Sequence, residues 1–256
     1  MNVRDVTRLE SFDASERFLN TGSAWHAAFD FPFAQPRRLL SNIGVPAQWD
    51  ESVRYFGSFS RDGFVTLLNG YRSTRPAGDK QHFRVVDALA RSCSPMTLYG
   101  TPVGKMFYEG APRLLEADVS ILPMRPREVK RVAVEGYPKL VAERFAGRRK
   151  YKAEELRKQT LDDQRTRKQI LQGVARHSCA HFGFPVRVAR AVRELALADG
   201  AGDVLDAILC AVQAAWSARH ASRGIPAGCD AIEGWIVDPV LLERRVRVKC
   251  GVSQTV

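Results

Sequence analysis

The chain has 256 residues, of which 45% are hydrophobic and 26% charged, and its net charge is +11. This balance is typical of a globular protein large enough to bury its own core, and it excludes a disordered or fibrous chain. No apolar run approaches the ~20 residues that span a bilayer, and the charged N-terminal segment lacks the features of a signal peptide. The five cysteines are scattered and form no C-x-x-C pair, which excludes a disulfide framework and a structural zinc site and favours a cytoplasmic location.

The positive charge is concentrated between residues 125 and 190, where 18 Lys and Arg stand against 7 Asp and Glu. This stretch carries the whole net charge, so the rest of the chain is neutral. Concentrated positive charge favours a nucleic-acid partner, because Lys and Arg side chains that contact phosphates release condensed counterions. A basic helix face that is simply solvated fits the same pattern, and charge alone does not separate the two.

The first predicted strand is an apolar run that begins at Trp25 and ends at Asp30, with Pro32 close behind. The pattern predicts a buried strand that carries Asp30 at its carboxyl end, although a turn residue is an alternative role for this aspartate. Pro36 then fits the first turn of a short helix over residues 37–43.

Residues 44–128 are predicted to form a loop-rich insertion that holds a few short helices. Ser60 is a plausible N-cap for a helix through Tyr71, a second helix covers residues 83–91, and Pro112 starts a third. The loops carry several charged side chains that fit either an anionic ligand or, more simply, solvated ion pairs: Arg72, Arg75, Lys80, His82, Arg84 and Asp87.

The second predicted strand, residues 131–135, repeats the logic of the first, because an apolar run again ends in an acid and a proline follows. Two parallel strands that end this way bring Asp30 and Glu135 to the same edge of one sheet. Open α/β sheets bind their ligands at that edge.

Three helical segments follow, over residues 151–177, after Pro185, and over residues 202–219, before a short extended stretch at 232–237. The helix over 202–219 has the clearest apolar face, and Asp203 and Asp206 share a different face of its first turn. Both aspartates also have plainer explanations, an N-cap for Asp203 and the helix dipole for Asp206.

These carboxylates predict a metal centre. Acids that converge at one sheet edge repel one another, and a bound Mg²⁺ or Mn²⁺ removes that repulsion because hard cations prefer oxygen ligands. Divalent ions held this way activate water and stabilise the leaving oxygen in phosphodiester cleavage.

Six segments, in the same order along the chain, resemble the family of predicted ribonuclease H-like nucleases catalogued as domain of unknown function 429. They are FDFPFAQPRRLL (29–40), RPAGDK (75–80), SPMTLYGTPVGKMFYEGAPRLL (94–115), RVAVEGYPKLVA (131–142), GDVLDAILCAVQAAW (202–216) and EGWIVDP (233–239). The resemblance implies a single ribonuclease H-like α/β domain over residues 1–256, with a mixed sheet flanked by helices and with helical and loop insertions.

The resemblance also implies a divalent-metal-dependent nuclease. Carried over residue by residue, its catalytic and metal-binding acids are Asp30, Glu135, Asp203 and Asp206. Arg and Lys side chains of the basic stretch are expected to contact the nucleic acid: Arg144, Arg148, Arg149, Lys150, Lys152, Arg165 and Lys168. A non-catalytic module of the same fold that binds nucleic acid or another partner is the alternative, and a small-molecule enzyme a third.

One departure from the family concerns its first strand, which normally reads G-[IV]-D-[FW]-[TS] and supplies the first metal ligand. This chain opens with MNVRDVTRLESF, and Asp5 does not stand in that context. We therefore expect the N-terminal strands to be missing here, which leaves the next strand with an exposed edge. Either an upstream segment completes the site, or the chain is an impaired relative.

Overall fold

The computed structural model describes residues 1–22 and 24–249. Its strands are β1 (Asn2–Val3), β2 (Trp25–Phe29), β3 (Ser120–Leu122), β4 (Arg131–Glu135) and β5 (Arg187–Val188). Its α-helices are α1 (Phe12–Asn20), α2 (Arg37–Asn42), α3 (Trp49–Gly57), α4 (Arg61–Ser73), α5 (Val85–Ala90), α6 (Val103–Glu116), α7 (Pro138–Ala146), α8 (Leu161–Phe182), α9 (Arg190–Ala198), α10 (Asp203–Arg219) and α11 (Pro239–Lys249). None of the helices in these ranges is both long and apolar enough to cross a membrane.

The central sheet has the strand order β2-β4-β3, and its described strands are all parallel. The register pairs Phe29 with Glu135, so β2 and β4 end side by side. The expectation that the two strands deliver Asp30 and Glu135 to one edge of the sheet is therefore confirmed. Among the described strands, β2 is an edge strand, and β1 pairs with β5 in a separate two-stranded sheet.

Helices cover both faces of this sheet, as in other parallel sheets whose strands are buried on both sides. Successive residues of β4 point to opposite faces, so Ala133 belongs to one hydrophobic core and Val134 to the other. Residues from α2, α3, α4 and α6 build the core on the Ala133 side, and residues from α7, α8, α9 and α10 build the core on the Val134 side. The protein is an α/β structure with three layers.

Several elements match their sequence patterns closely. The strands at 25–29 and 131–135 and the helix at 203–219 are where the hydrophobic patterns place them. The N-cap prediction for α4 is also confirmed, because Ser60 Oγ accepts a hydrogen bond from the Gly63 N–H at 3.1 Å.

Other expectations were wrong. Pro112 lies inside α6 rather than at the start of a helix, since α6 already begins at Val103. The region 44–128 contains four helices, α3 to α6, together with β3, which is part of the central sheet. Proline normally disrupts a helix interior, yet α6 continues through Pro112, whose ring lies beside Gly57 of α3.

Helix α8 begins later than its polar pattern indicates. Thr160 and Asp163 form a capping box, in which Thr160 Oγ1 accepts from the Asp163 N–H and Asp163 Oδ2 accepts from the Thr160 N–H. The helix ends at Gly183, whose φ of 78° is the left-handed conformation that glycine adopts without strain.

The contact between α7 and α8 depends on the absence of a side chain at Gly173. A Cβ atom there would lie 2.6 Å from the Cβ of Phe145, the rigid base of that side chain. We expect Gly173→Ala to lower the free energy of unfolding by about 1–3 kcal/mol through overpacking, as measured by chemical denaturation.

The matched control is Gly70→Ala in α4, where nothing lies within 4 Å of the added Cβ. This change should raise stability by about 0.5–1 kcal/mol, because alanine has the higher helix propensity. Equal effects of the two substitutions would contradict the assigned packing of α7 on α8.

Candidate functional site

Asp30 lies directly after β2, at the carboxyl end of the central sheet. Burial, together with the neighbouring charges of Asp206 and Glu135, raises the pKa of its carboxyl group to about 7. Lys152 acts in the opposite direction. The ionised form of Asp30 is therefore destabilised, and it lies within electrostatic range of two other predicted site acids.

Asp206, in the first turn of α10, is buried, with 7% of its surface exposed. Its carboxylate accepts a hydrogen bond from the Tyr151 hydroxyl at 2.7 Å and one from the Lys152 ammonium at 2.5 Å. Burial raises its pKa, and Lys152 and Tyr151 act against that rise. Asp206 thus holds a cation supplied by the protein itself.

Gly202 brings Lys152 to this position. It is the N-cap of α10 with a φ of 83°, and a Cβ atom there would stand 2.7 Å from the Cβ of Lys152. Only glycine allows the segment that carries Tyr151 and Lys152 to pass so close to the start of α10. Because Gly202 is the N-cap, the alternative N-cap role for Asp203 was wrong.

Asp203 points away from this pocket. Its side chain is 60% exposed, and its nearest cation is Arg8 at 3.6 Å. Its charge still contributes to the raised pKa of Asp206. It is therefore near the pocket without being part of it.

Glu135, at the end of β4, is buried, and both of its carboxylate oxygens accept hydrogen bonds. Its two oxygens accept from the Arg84 guanidinium at 2.6 and 2.8 Å, and Oε2 also accepts from the Phe33 N–H at 3.0 Å. This carboxylate faces a buried arginine, whereas Asp30 and Asp206 face Lys152.

Arg84 is the centre of that buried network, with 1% of its surface exposed. It also contacts both oxygens of Asp87, at 2.8 and 2.9 Å, and donates to the Glu233 carbonyl at 3.1 Å. Burial alone would lower its pKa, but Asp87 and Glu135 reverse that effect and hold the pKa well above its usual value.

The Glu233 carboxylate caps two neighbouring segments. Its Oε1 accepts from the Arg37 N–H at 2.8 Å, at the start of α2, and its Oε2 accepts from the Val85 N–H at 3.1 Å, at the start of α5. The sequence does not predict this network. A cluster of charged residues in a loop has the same sequence pattern whether its side chains contact solvent or buried acids after folding.

The loop charges of residues 72–87 are therefore not a simple solvated surface. Arg84 and Asp87 are buried, and the hydroxyl of Tyr71 lies 2.5 Å from the Nε2 of His82, which is also buried. Arg75 forms a more exposed pair with Asp79 at 2.5 Å.

The seven basic residues predicted to contact nucleic acid fall into three groups. Arg144 pairs with the fully buried Asp238, and Lys152 is bound to Asp206. Two more form surface ion pairs, Arg149 with Asp162 at 3.4 Å and Lys150 with Asp163 at 3.3 Å. The remaining three are exposed, without an ion pair to any described residue: Arg148, Arg165 and Lys168.

The structure thus brings Asp30 and Asp206 together with Lys152, and places Glu135 and Asp203 at the margins of this pocket. Within residues 1–22 and 24–249, no three His, Cys, Asp or Glu side chains form a metal-binding group. A pair of carboxylates still suits Mg²⁺, which is commonly bound through one or two carboxylates, with waters and substrate phosphates completing the shell.

A separate apolar cavity of about 520 Å³ lies between α1 and α6. Its walls include Phe12 and Phe18 of α1 and Met106 of α6. It contains none of the four predicted acids, so it is not the candidate site.

Comparison with known proteins identifies one family. The model of the family described as "Protein of unknown function (DUF429)" matches residues 43–230 of this chain. That range includes Glu135, Asp203 and Asp206, whereas Asp30 precedes it. No curated protein and no solved structure matches the chain.

The buried Arg84 network predicts a large effect on stability. Arg84→Met leaves the carboxylates of Glu135 and Asp87 buried without their cation, and we expect a loss of about 3–5 kcal/mol in the free energy of unfolding. Arg54→Met is the control, because Arg54 forms an exposed pair with Asp50 and should change stability by no more than about 0.5 kcal/mol. If the two variants were equally stable, the network would not be a major stabilising element.

The raised pKa of Asp30 predicts that the stability of the protein depends on pH. Its folded pKa, about 7, lies above its ordinary value of 3.8, so the folded state binds more protons between these values and stability falls as pH rises through this window. Asp30→Asn removes the buried charge, so we expect the variant to be more stable than wild type at pH 8 by on the order of 2–4 kcal/mol and nearly equal to it at pH 4.

Chemical denaturation at both pH values measures this difference. The exposed Glu128→Gln is the control and should show the same small effect at pH 4 and pH 8. A constant difference between Asp30→Asn and wild type across this range would contradict the assigned burial of Asp30.

Proposed function

Since the chain belongs to the family described as protein of unknown function (DUF429), we propose that it is a divalent-metal-dependent nuclease built on a ribonuclease H-like fold. The observation that carries the proposal is the Asp206 carboxylate, which binds Lys152 and lies within electrostatic range of Asp30 at the carboxyl end of a parallel sheet. Open α/β sheets bind ligands at this edge, and two adjacent carboxylates make it a place for a cation.

In this proposal, Asp30 and Asp206 hold one Mg²⁺ or Mn²⁺ ion. When bound, the ion would polarise a phosphodiester and activate the attacking water. The proposed ligand set is smaller than the four acids predicted from the sequence. Glu135 becomes a positioning residue, because Arg84 and the Phe33 N–H engage its oxygens, and Asp203 stays outside the ion's ligands.

Tyr151 and Lys152 complete the chemistry that the chain itself can supply. The Tyr151 hydroxyl fixes the orientation of the Asp206 carboxylate. The Lys152 side chain is 41% exposed, so its ammonium group can leave Asp206 when the ion binds and contact a phosphate oxygen instead. A positive group at that point stabilises the negative charge that develops during phosphodiester cleavage.

The non-catalytic alternative is also supported by a specific observation. Lys152 already neutralises the Asp206 carboxylate, and burial favours the uncharged form of Asp30, so the pocket can be charge-balanced without a metal. In that case the chain keeps the fold and binds nucleic acid without cutting it.

Metal binding separates the two functions. Mn²⁺ titration followed by calorimetry should show one site in the wild-type protein, and Asp206→Asn should abolish it through loss of a ligand. Lys152→Met should strengthen Mn²⁺ binding by about tenfold, ~1.4 kcal/mol, because the competing internal cation is gone. The same Lys152→Met change should slow cleavage if Lys152 contacts the phosphate.

Cleavage of labelled DNA and RNA in Mg²⁺ or Mn²⁺ tests the nuclease itself. The exposed acid Glu154→Gln is the matched control, with the same charge change two residues from Lys152. Cleavage by Asp206→Asn at the wild-type rate would overturn the metal site. Absence of both Mn²⁺ binding and cleavage in wild type, with oligonucleotide binding retained, would establish the non-catalytic function.

A further inference from the structure

A second surface with a strong charge lies between α8 and α9, away from the acidic pair. It is a groove of about 590 Å³, here called the α8–α9 groove. Its polar walls are Lys168, Gln172 and Arg176 from α8, and Arg190, Arg193 and Glu194 from α9. The sequence analysis singled out only Lys168 of these residues, because the two helices are joined in space rather than along the chain.

The charges of this groove are only partly neutralised. Arg190 pairs with Glu194 at 2.8 Å, and Arg193 donates to the Val188 carbonyl at 3.3 Å. Lys168 and Arg176 are exposed and form no ion pair with any described residue. Four cations therefore face one acid, and the groove has an excess of positive charge that a bound anion would balance.

The basic side chains of α8 form a row along the helix. Arg165, which is not among the lining residues, stands three positions before Lys168, and the neutral Gln172 and then Arg176 follow at intervals of four, so all four side chains share one face of α8. From Arg165 to Arg176 the helix rises about 16 Å, at ~1.5 Å per residue. A duplex strand presents a phosphate every ~3.4 Å along its axis, so this row can meet several phosphates of one strand.

The residues that line the groove also limit what it can read. Its polar groups are ammonium, guanidinium and amide donors, which suit phosphate oxygens. No aromatic side chain is among the lining residues, so the groove has no platform on which bases could stack. Recognition by such a surface depends on backbone charge and not on sequence.

We propose that the α8–α9 groove binds the phosphodiester backbone of nucleic acid, independently of base identity and of divalent metal. This inference deepens the proposed function, on which it rests for the choice of nucleic acid as the polyanion. None of the groove residues belongs to the Asp30–Asp206 pocket, so the proposed backbone contacts and the acidic pocket involve different residues.

Fluorescence anisotropy in EDTA tests the proposal, with a labelled oligothymidylate of about 20 nucleotides as the probe. Three phosphate contacts on a single strand give a slope of about −2 in log K against log salt, or about a 20-fold loss of affinity from 50 to 200 mM salt. The double variant Lys168→Gln/Arg176→Gln should reduce the slope to about −0.7 and weaken binding about tenfold at 50 mM salt.

The matched control is Arg4→Gln/Arg17→Gln, which removes the same charge from exposed arginines outside the groove. It should bind like wild type, and equal loss in the two double variants would overturn the proposal in favour of a diffuse charge effect. An abasic oligomer of the same length should bind as well as oligothymidylate. Inorganic polyphosphate bound while both oligomers are not would identify a different polyanion and would also overturn it.

The test separates failure of the groove from failure of the proposed function. If wild type cleaves but the Lys168→Gln/Arg176→Gln variant keeps full affinity, the groove is wrong and the nuclease stands. If the groove variant loses affinity but no variant or wild type cleaves, the nuclease is wrong and the groove stands.

Discussion

The structure depends most on the buried guanidinium of Arg84. Two carboxylates surround it, and a buried charge of this kind is stable only while its partners are in place. Through Glu135 it fixes the end of β4, and the Phe33 N–H bound to the same carboxylate fixes the chain beyond β2. The position of Asp30, between β2 and Phe33, follows from these two anchors.

The charges of the Asp30–Asp206 pocket are arranged differently from those of the neighbouring Arg84 network. Around Arg84, one cation is closed in by acids and inaccessible to solvent. At Asp30 and Asp206 the cation is Lys152, which remains partly exposed and sits on a segment that glycine brings into place. The carboxylates of Glu135 and Asp87 are thus permanently paired with a buried cation. The carboxylates of Asp30 and Asp206 face Lys152, which another cation could replace.

Much of this arrangement could be predicted from the sequence. Apolar runs that end in an acid before a proline predicted the two strands and their shared edge of the sheet. The 3.6-residue period of apolar residues predicted α10. The Arg84 network could not be predicted, since its members are neighbours only after folding, and the sequence near Arg84 reads as a charged loop. Lys152 was expected to contact nucleic acid because its charge was visible and its partner, Asp206, was distant along the chain. The helix start predicted at Pro112 was wrong, because proline favours the first turn of a helix but α6 already begins nine residues earlier, at Val103.

The register of β2 on β4 also has a consequence for how the molecule folds. The hydrogen bond from the Phe33 N–H to Glu135 joins residues 102 positions apart, and the Arg84–Glu135 contact spans 51. Closing such long loops lowers the conformational entropy of the chain before the stabilising contacts form. Topologies of this kind therefore fold slowly. The helices between the two strands can form early from local contacts, whereas the paired strand ends and the pocket beside them depend on these distant contacts and assemble late.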